Sequence, residues 1–308
     1  MKIVIIGAGA MGGLFAARLA AAGEMVSVVD VWQEHIDTIT KQGLSLETED
    51  GTVVAHPVAV SGVEQLSSAD LIIIFVKSSM TAAAAQSALH IMGPSTRVLT
   101  LQNGLGNAEV IAGVVGKEHV LAGTTAQGAT LLGPGRIRHG GRGDTHIGRL
   151  SGATDEFCRE VVHVFSHAGI PTVADDGVQS LIWGKLVINV GINAFTALLK
   201  FRNGQLADFS ETRELVQMAV GEAVQVAAAA GIRLPYDDAV TKVLATATAT
   251  AANQSSMLQD ILHGRLTEID AINGALVREG ERLGVPTPVN RTLTLLIRAL
   301  EKKAGISL

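Results

Sequence analysis

The chain has 308 residues, 47% of them hydrophobic and 17% charged, with a formal net charge of -5 at pH 7. That length suffices for two domains with separate cores, and an acidic balance with no basic cluster and 3% aromatic content argues against nucleic-acid binding. The single cysteine, Cys158, excludes an internal disulfide, and no run of 18 uninterrupted apolar residues is present to cross a bilayer, so a cytoplasmic protein with no membrane or nucleic-acid partner is expected.

The chain opens MKIVIIGAGAMGGLFAARLAAAG. Ile3 to Ile6 is a β-branched run that suits a strand buried on both faces, and Met11 to Ala22 are helix formers ending at Gly23. The intervening glycines and Arg18 interrupt the apolar run, so it is not read as a secretory signal. Gly7, Gly9 and Gly12 form G-x-G-x-x-G between strand and helix: the first permits the tight turn, the second lets backbone approach a pyrophosphate, and the third lets helix pack on strand. Gly7, Ala8, Gly9, Ala10, Met11 and Gly12 are therefore the expected dinucleotide cradle, with a helix N-terminus facing the phosphates.

Val26 to Asp30 is a second strand, Gln33 to Gln42 a helix, and Leu71 to Val76 a buried strand ending at Lys77. A helix over Thr81 to Ile91, a strand Val98 to Leu101 ending in Gln102-Asn103-Gly104, and a strand near Val120 to Ala126 complete a doubly wound α/β pattern. Glycines between Ala129 and Gly148 predict a hairpin excursion, followed by a helix over Asp155 to Ala168 and a last strand near Ile170 to Ala174. After Asp175-Asp176-Gly177 the period is helical, with helices expected at about 180–199, 211–230, 237–252, 265–283 and 289–303. The expected organisation is a dinucleotide-binding Rossmann-type domain over 1–175 and an all-helical substrate-binding domain over 176–308.

Asp30 closes the second strand, where a carboxylate accepts hydrogen bonds from the adenosine ribose and repels a 2′-phosphate. Val31, Trp32, Gln33 and Glu34 follow, and the nearest downstream basic residue is Lys41, so NADH is expected over NADPH. The alternative is that Asp30 merely caps the next helix.

In WGKLVINVGINAF, Lys185, Asn189 and Asn193 recur at i, i+4 and i+8 on one face of an otherwise apolar helix. Buried polar groups without partners cost about 1–3 kcal/mol each, and a polar substrate would supply partners; a snorkelling lysine and interhelical asparagine pairs are the alternative. Farther on, NQSSMLQDILHGRLTEIDAINGALV carries Asn253, Ser256, Gln259, Asp260, Glu268, Asp270 and Asn273. His163 and His167 lack a third ligand and are read as a solvated face, RHGGRGDTHIG as a hairpin rim, and Cys158 as an inert thiol; no metal site is expected.

Seven blocks now stand in order: GAGAMG, FVKS at 75–78, LQNG at 101–104, WGKLVINVGIN at 183–193, SSMLQD at 255–260, LTEIDAINGALV at 266–277 and GVPTPVN at 284–290. Across the whole chain they resemble the 2-dehydropantoate 2-reductase (ketopantoate reductase) family. The resemblance implies a Rossmann-type domain with a C-terminal helical domain like that of 6-phosphogluconate dehydrogenase. It further implies reduction of 2-dehydropantoate to (R)-pantoate by a nicotinamide cofactor, in pantothenate biosynthesis. On it Lys185 matches the catalytic lysine and Glu268 the catalytic glutamate. Asn189, Asn193, Asn253 and Ser256 match substrate-binding positions, while Lys77, Gln102 and Asn103 lie in blocks lining the cofactor and active-site cleft, Asn103 serving both. The family default is NADPH, from which Asp30 departs. Similar scaffolds serve NAD-dependent D-2-hydroxyacid dehydrogenases of the mandelate type, a rival that Asp30 supports, and the fold alone also admits a nucleotide sensor without turnover. A homodimer formed through the helical domain is the expected assembly.

Overall fold

The computed structural model describes residues 1–306, which divide into two units: Met1–Gln102 with Asn107–Val178, and Asn103–Gly106 with Gln179 onward.

The first unit begins with β1 (Lys2–Ile6), α1 (Ala10–Ala21), β2 (Met25–Val29) and α2 (Gln33–Gln42). Then come β3 (Leu44–Thr48), β4 (Gly51–Ala55), β5 (Val58–Val60), β6 (Leu71–Ile74), α3 (Thr81–Ala88), β7 (Arg97–Thr100) and α4 (Asn107–Val115). It closes with β8 (Val120–Thr125), β9 (Gly128–Gly133), β10 (Arg136–Gly141), β11 (Thr145–Arg149), α5 (Glu156–His167) and β12 (Thr172–Ala174). An eight-stranded sheet runs β12-β11-β8-β7-β6-β1-β2-β5, parallel except where β11 lies antiparallel to β8. Ile3, Val4, Ile5 and the whole of β6 are fully buried, as expected of strands covered on both faces. Strand order reverses between β1 and β6, the switch point at which such sheets bind ligands beyond the strands' carboxyl ends.

A second sheet, β4-β3-β10-β9, is absent from the sequence-based expectation, which found only a hairpin near 129–148. Strands β3 to β5 and helix α4 were not expected, and β6 stops at Ile74 rather than Val76. Helix α1 packs against both sheets, and Phe15 shares one core with Ile5, Leu46, Ile137 and Phe165.

The second unit contains α6 (Val178–Leu199), α7 (Gln205–Asp208), α8 (Ser210–Ala229), α9 (Ala239–Ala249), α10 (Ser256–Leu262), α11 (Asn273–Leu283) and α12 (Pro288–Lys303). By length and composition α6 could cross a bilayer, yet most of it is buried in the core with Val216, Val220, Val243, Leu276 and Ile297. The expected helix over 265–283 is wrong over 265–272: α11 begins at Asn273, and Glu268 lies in a turn. Tertiary bonds explain this. The Glu301 carboxylate on α12 accepts from the Thr267 backbone N–H (2.9 Å) and hydroxyl (2.7 Å), and the Ala271 N–H donates back to the Glu268 carbonyl at 3.0 Å. The short α7 and α10 replace expected loop and helix margin, and α9 is narrower than 237–252.

Candidate active site

In the first unit the glycine-rich turn follows β1. Gly7 has φ +98°, and a Cβ there would lie 2.8 Å from the Phe75 carbonyl carbon and the Val76 nitrogen, so only glycine fits the turn against β6. A Cβ at Gly12 would lie 1.8 Å from the Gly7 oxygen, which accounts for the close helix–strand approach. A Cβ at Gly9 would meet nothing within 4 Å, leaving open space at the N-terminus of α1. Open space beside a helix N-terminus and a carboxylate fits the pyrophosphate and ribose of a dinucleotide.

Asp30 is half-buried. Its Oδ2 accepts from the Ala8 N–H at 2.8 Å and its Oδ1 from the Trp32 N–H at 3.0 Å. It does not cap α2, whose N-cap is Trp32 with no side-chain bond, so the helix-cap alternative fails. Both oxygens are held in place and retain lone pairs for ribose hydroxyls. Lys77 is exposed at the start of a short 3₁₀ turn over Ser78–Met80. Gln102 is a strut. Its amide donates to the Val76 carbonyl (2.6 Å) and the Thr81 hydroxyl (2.9 Å) and accepts from the Thr100 hydroxyl (2.8 Å), tying the ends of β6 and β7 together.

In the second unit Lys185, Asn189 and Asn193 share one face of α6, among the buried Trp183, Leu186, Val187, Val190 and Ile192. Asn193 is buried, and Lys185 and Asn189 are half-buried. Burial lowers the Lys185 pKa from 10.5 to about 8, against the raising field of Glu268. The Asn103 amide donates to Glu268 Oε2 at 3.0 Å. Beside it the Leu105 N–H donates to the Ala271 carbonyl at 2.9 Å, and a Cβ at Gly104 would lie 2.1 Å from that carbonyl, so segment 103–106 is pinned on the Glu268 turn. The fold thus gathers Lys185, Glu268 and Asn103, residues far apart in the chain. An ammonium with a tunable proton beside a fixed carboxylate can protonate or stabilise a developing alkoxide.

Asn253 and Ser256 are exposed before and at the start of α10. Ser255 caps this helix, accepting from the Leu258 N–H at 3.1 Å. Asn203 escaped the sequence reading. It is buried, its N–H donates to the Asn253 carbonyl at 3.0 Å, its amide donates to the Thr250 hydroxyl at 2.9 Å, and its Oδ1 has no hydrogen-bond partner among the described residues. The only sequence signal was an N-G dipeptide, which reads as a turn.

His163 and His167 stack at 6.4 Å on an exposed face, and no group of three or more metal-ligating side chains occurs among the described residues. Arg138 pairs with Glu47 and Arg142 with Asp50 on the hairpin. Burial raises the Cys158 thiol pKa, consistent with an inert cysteine.

A glycine turn at the switch point of a parallel sheet and a lysine–glutamate pair in a helical unit fit the class of two-unit nicotinamide-dependent oxidoreductases. Comparison with known proteins narrows this class. The family model "Ketopantoate reductase PanE/ApbA" matches residues 3–152, and "Ketopantoate reductase PanE/ApbA C terminal" matches residues 177–301. The 2-dehydropantoate 2-reductase of Halobacterium salinarum is 38% identical over 98% of this chain and 99% of its own. Among solved structures, D-mandelate dehydrogenase with NADH and anilino(oxo)acetate superposes with a TM-score of 0.93 at 31% identity, covering 100% of both chains. A PanE/ApbA family ketopantoate reductase from Ralstonia eutropha JMP134 gives 0.91 at 33% identity, covering 99% of this chain and 100% of its own. The chain belongs to the ketopantoate reductase PanE/ApbA family.

Proposed function

We propose that the protein reduces 2-dehydropantoate to (R)-pantoate, with residues 1–175 binding the dinucleotide and residues 176–308 binding the 2-oxo acid. The observation that carries this reading is the Lys185 ammonium held in an apolar helix within the field of a glutamate that Asn103 anchors. When bound, the reduced nicotinamide supplies a hydride to the carbonyl carbon. Lys185 donates a hydrogen bond to the carbonyl oxygen and gives it a proton as the alkoxide forms, leaving a neutral amine that solvent reprotonates. Glu268 keeps the amine charged before the reaction and accepts a bond from a substrate hydroxyl. Asn189, Asn193, Asn253 and Ser256 offer neutral donors to the substrate's carboxylate and hydroxyl groups. Gly7 to Gly12, Asp30, Lys77, Gln102 and Asn103 serve the cofactor, Gln102 by bracing the strand ends.

Asp30 favours NADH. A charge-assisted hydrogen bond contributes about 1.5–3 kcal/mol, or roughly 10- to 100-fold in affinity. This brings in a second reading, an NADH-dependent D-2-hydroxyacid dehydrogenase of the mandelate type, supported by the same carboxylate and by the likeness to D-mandelate dehydrogenase with NADH. Steady-state rates with 2-dehydropantoate and with phenylglyoxylate decide between the substrates; oxidation of cofactor by neither acid would refute both. Asp30→Asn should lose most of its preference for NADH over NADPH in kcat/KM. A wild-type enzyme that prefers NADPH would overturn the role given to this carboxylate.

A further inference from the structure

The cofactor turn is gripped from a second side. His35, on α2, is 1% exposed and its ring lies flat against Trp32, with centroids 5.2 Å apart and planes 6° from parallel. Its Nδ1 stands 2.9 Å from the Gly135 backbone N–H, at the turn between β9 and β10. A backbone N–H can only donate, so Nδ1 accepts and carries no proton. The other nitrogen, Nε2, stands 3.0 Å from the Ala8 carbonyl, which can only accept. The ring is therefore the neutral Nε2–H tautomer. Burial lowers its pKa, and Asp30 opposes this only in part.

Ala8 is the variable residue between the first two glycines of the motif. Its N–H is held by Asp30 and its carbonyl by His35. In a trans peptide the carbonyl and the following N–H point in opposite directions. Fixing the Ala8 carbonyl on His35 therefore turns the Gly9 N–H away from the α2 side, and of the three motif glycines Gly9 is the one whose added Cβ would meet none of the described residues within 4 Å.

We propose that His35 is a positioning residue for dinucleotide binding: its Nε2–H sets the plane of the Ala8–Gly9 peptide, so that the Gly9 N–H is aimed at the pyrophosphate before the cofactor arrives. This rests on cofactor binding at the glycine turn and is independent of which 2-oxo acid is reduced. A generic packing role predicts that losing either ring contact has the same consequence. Positioning predicts that the two contacts separate.

The test uses two isosteric variants of the full chain. His35→Gln keeps an amide N–H near the Nε2 position and gives up the Gly135 contact. His35→Asn keeps an acceptor near the Nδ1 position and gives up the Ala8 contact. The Kd for NADH, read by fluorescence titration without substrate, should stay within about twofold of wild type in His35→Gln and rise about fivefold or more in His35→Asn, with similar losses of Tm in both. Equal or reversed effects on Kd overturn the proposal. Should neither variant fold, the wild-type protein carries the test by NMR. The apo ring should show a protonated Nε2 and an unprotonated Nδ1, and NADH should move the Gly9 amide and His35 resonances. An Nδ1–H tautomer, or an unmoved Gly9 amide at saturation, overturns it.

Discussion

Replacing Glu268 with glutamine removes a charge while keeping an oxygen that can accept from the Asn103 amide, the contact made at 3.0 Å in the wild type. The consequence falls on Lys185. Burial lowers its pKa from 10.5 to about 8 even though Glu268 raises it. An opposite charge at close range favours the protonated amine, so losing it should weaken the proton affinity of Lys185 further, by about tenfold or more. For a tenfold loss the protonated fraction at pH 8 falls from about one half to about one tenth, whereas at pH 6 it stays at about nine tenths or above in both proteins. Because the proposed reduction uses the protonated amine, Glu268→Gln should lose about fivefold more kcat/KM at pH 8 than at pH 6. Any loss of a substrate contact affects both pH values alike and cancels in that ratio. Initial rates of NADH oxidation in the reductive direction, across pH 5.5 to 9.5, give the basic limb directly. A limb at the same pH in both enzymes, or one shifted upward in the variant, would refute the coupling between the two residues.

Two further changes test energetics. A pKa lowered from 10.5 to about 8 means that the folded state binds Lys185's proton less tightly than the unfolded state does, a cost of about 3 kcal/mol at neutral pH. That cost is fully present below pH 8 and disappears as pH rises toward 10.5, because the folded protein sheds the proton first. Lys185→Met should therefore be more stable than wild type at pH 7, with an advantage that shrinks steadily by pH 10; urea midpoints showing a constant difference would contradict the assignment. Lys200, just past α6, has φ 56°, a left-handed conformation costing a side chain about 1 kcal/mol, and the following Phe201 N–H donates back to the Thr196 carbonyl at 3.1 Å. Lys200→Gly should raise Tm by a few degrees with kcat unchanged, and an unchanged or lower Tm would show that the strain is not there.

The α/β pattern with a helical C-terminal half, the glycine turn, the carboxylate closing β2 and the polar stripe of α6 were all legible in the chain. Each rests on local spacing: a β-branched run followed by G-x-G-x-x-G, or polar residues every fourth position in an apolar helix. The second sheet was not legible. Strands LSLET and GTVVA are short, and β3 takes part of its pairing from β10, about 90 residues away. Helix α4 is nine residues long and sits among Gly104, Gly106, Gly113 and Gly116, which read as loop.

The turn bearing Glu268 marks the boundary between the two kinds of information. RLTEIDAI has a period that suits helix, and on local grounds α11 would start several residues early. The buried Glu301 carboxylate, 34 positions downstream, takes both the N–H and the hydroxyl of Thr267, and Asn103, 165 positions upstream, takes up the carboxylate of Glu268. Sequence alone determined which side chains the protein offers for the proposed hydride chemistry and on which periodic elements most of them sit. Tertiary structure decided which of them meet, because a buried carboxylate must find donors wherever the packed chain provides them, and those bonds outweigh the few tenths of a kcal/mol per residue that favour extending a helix.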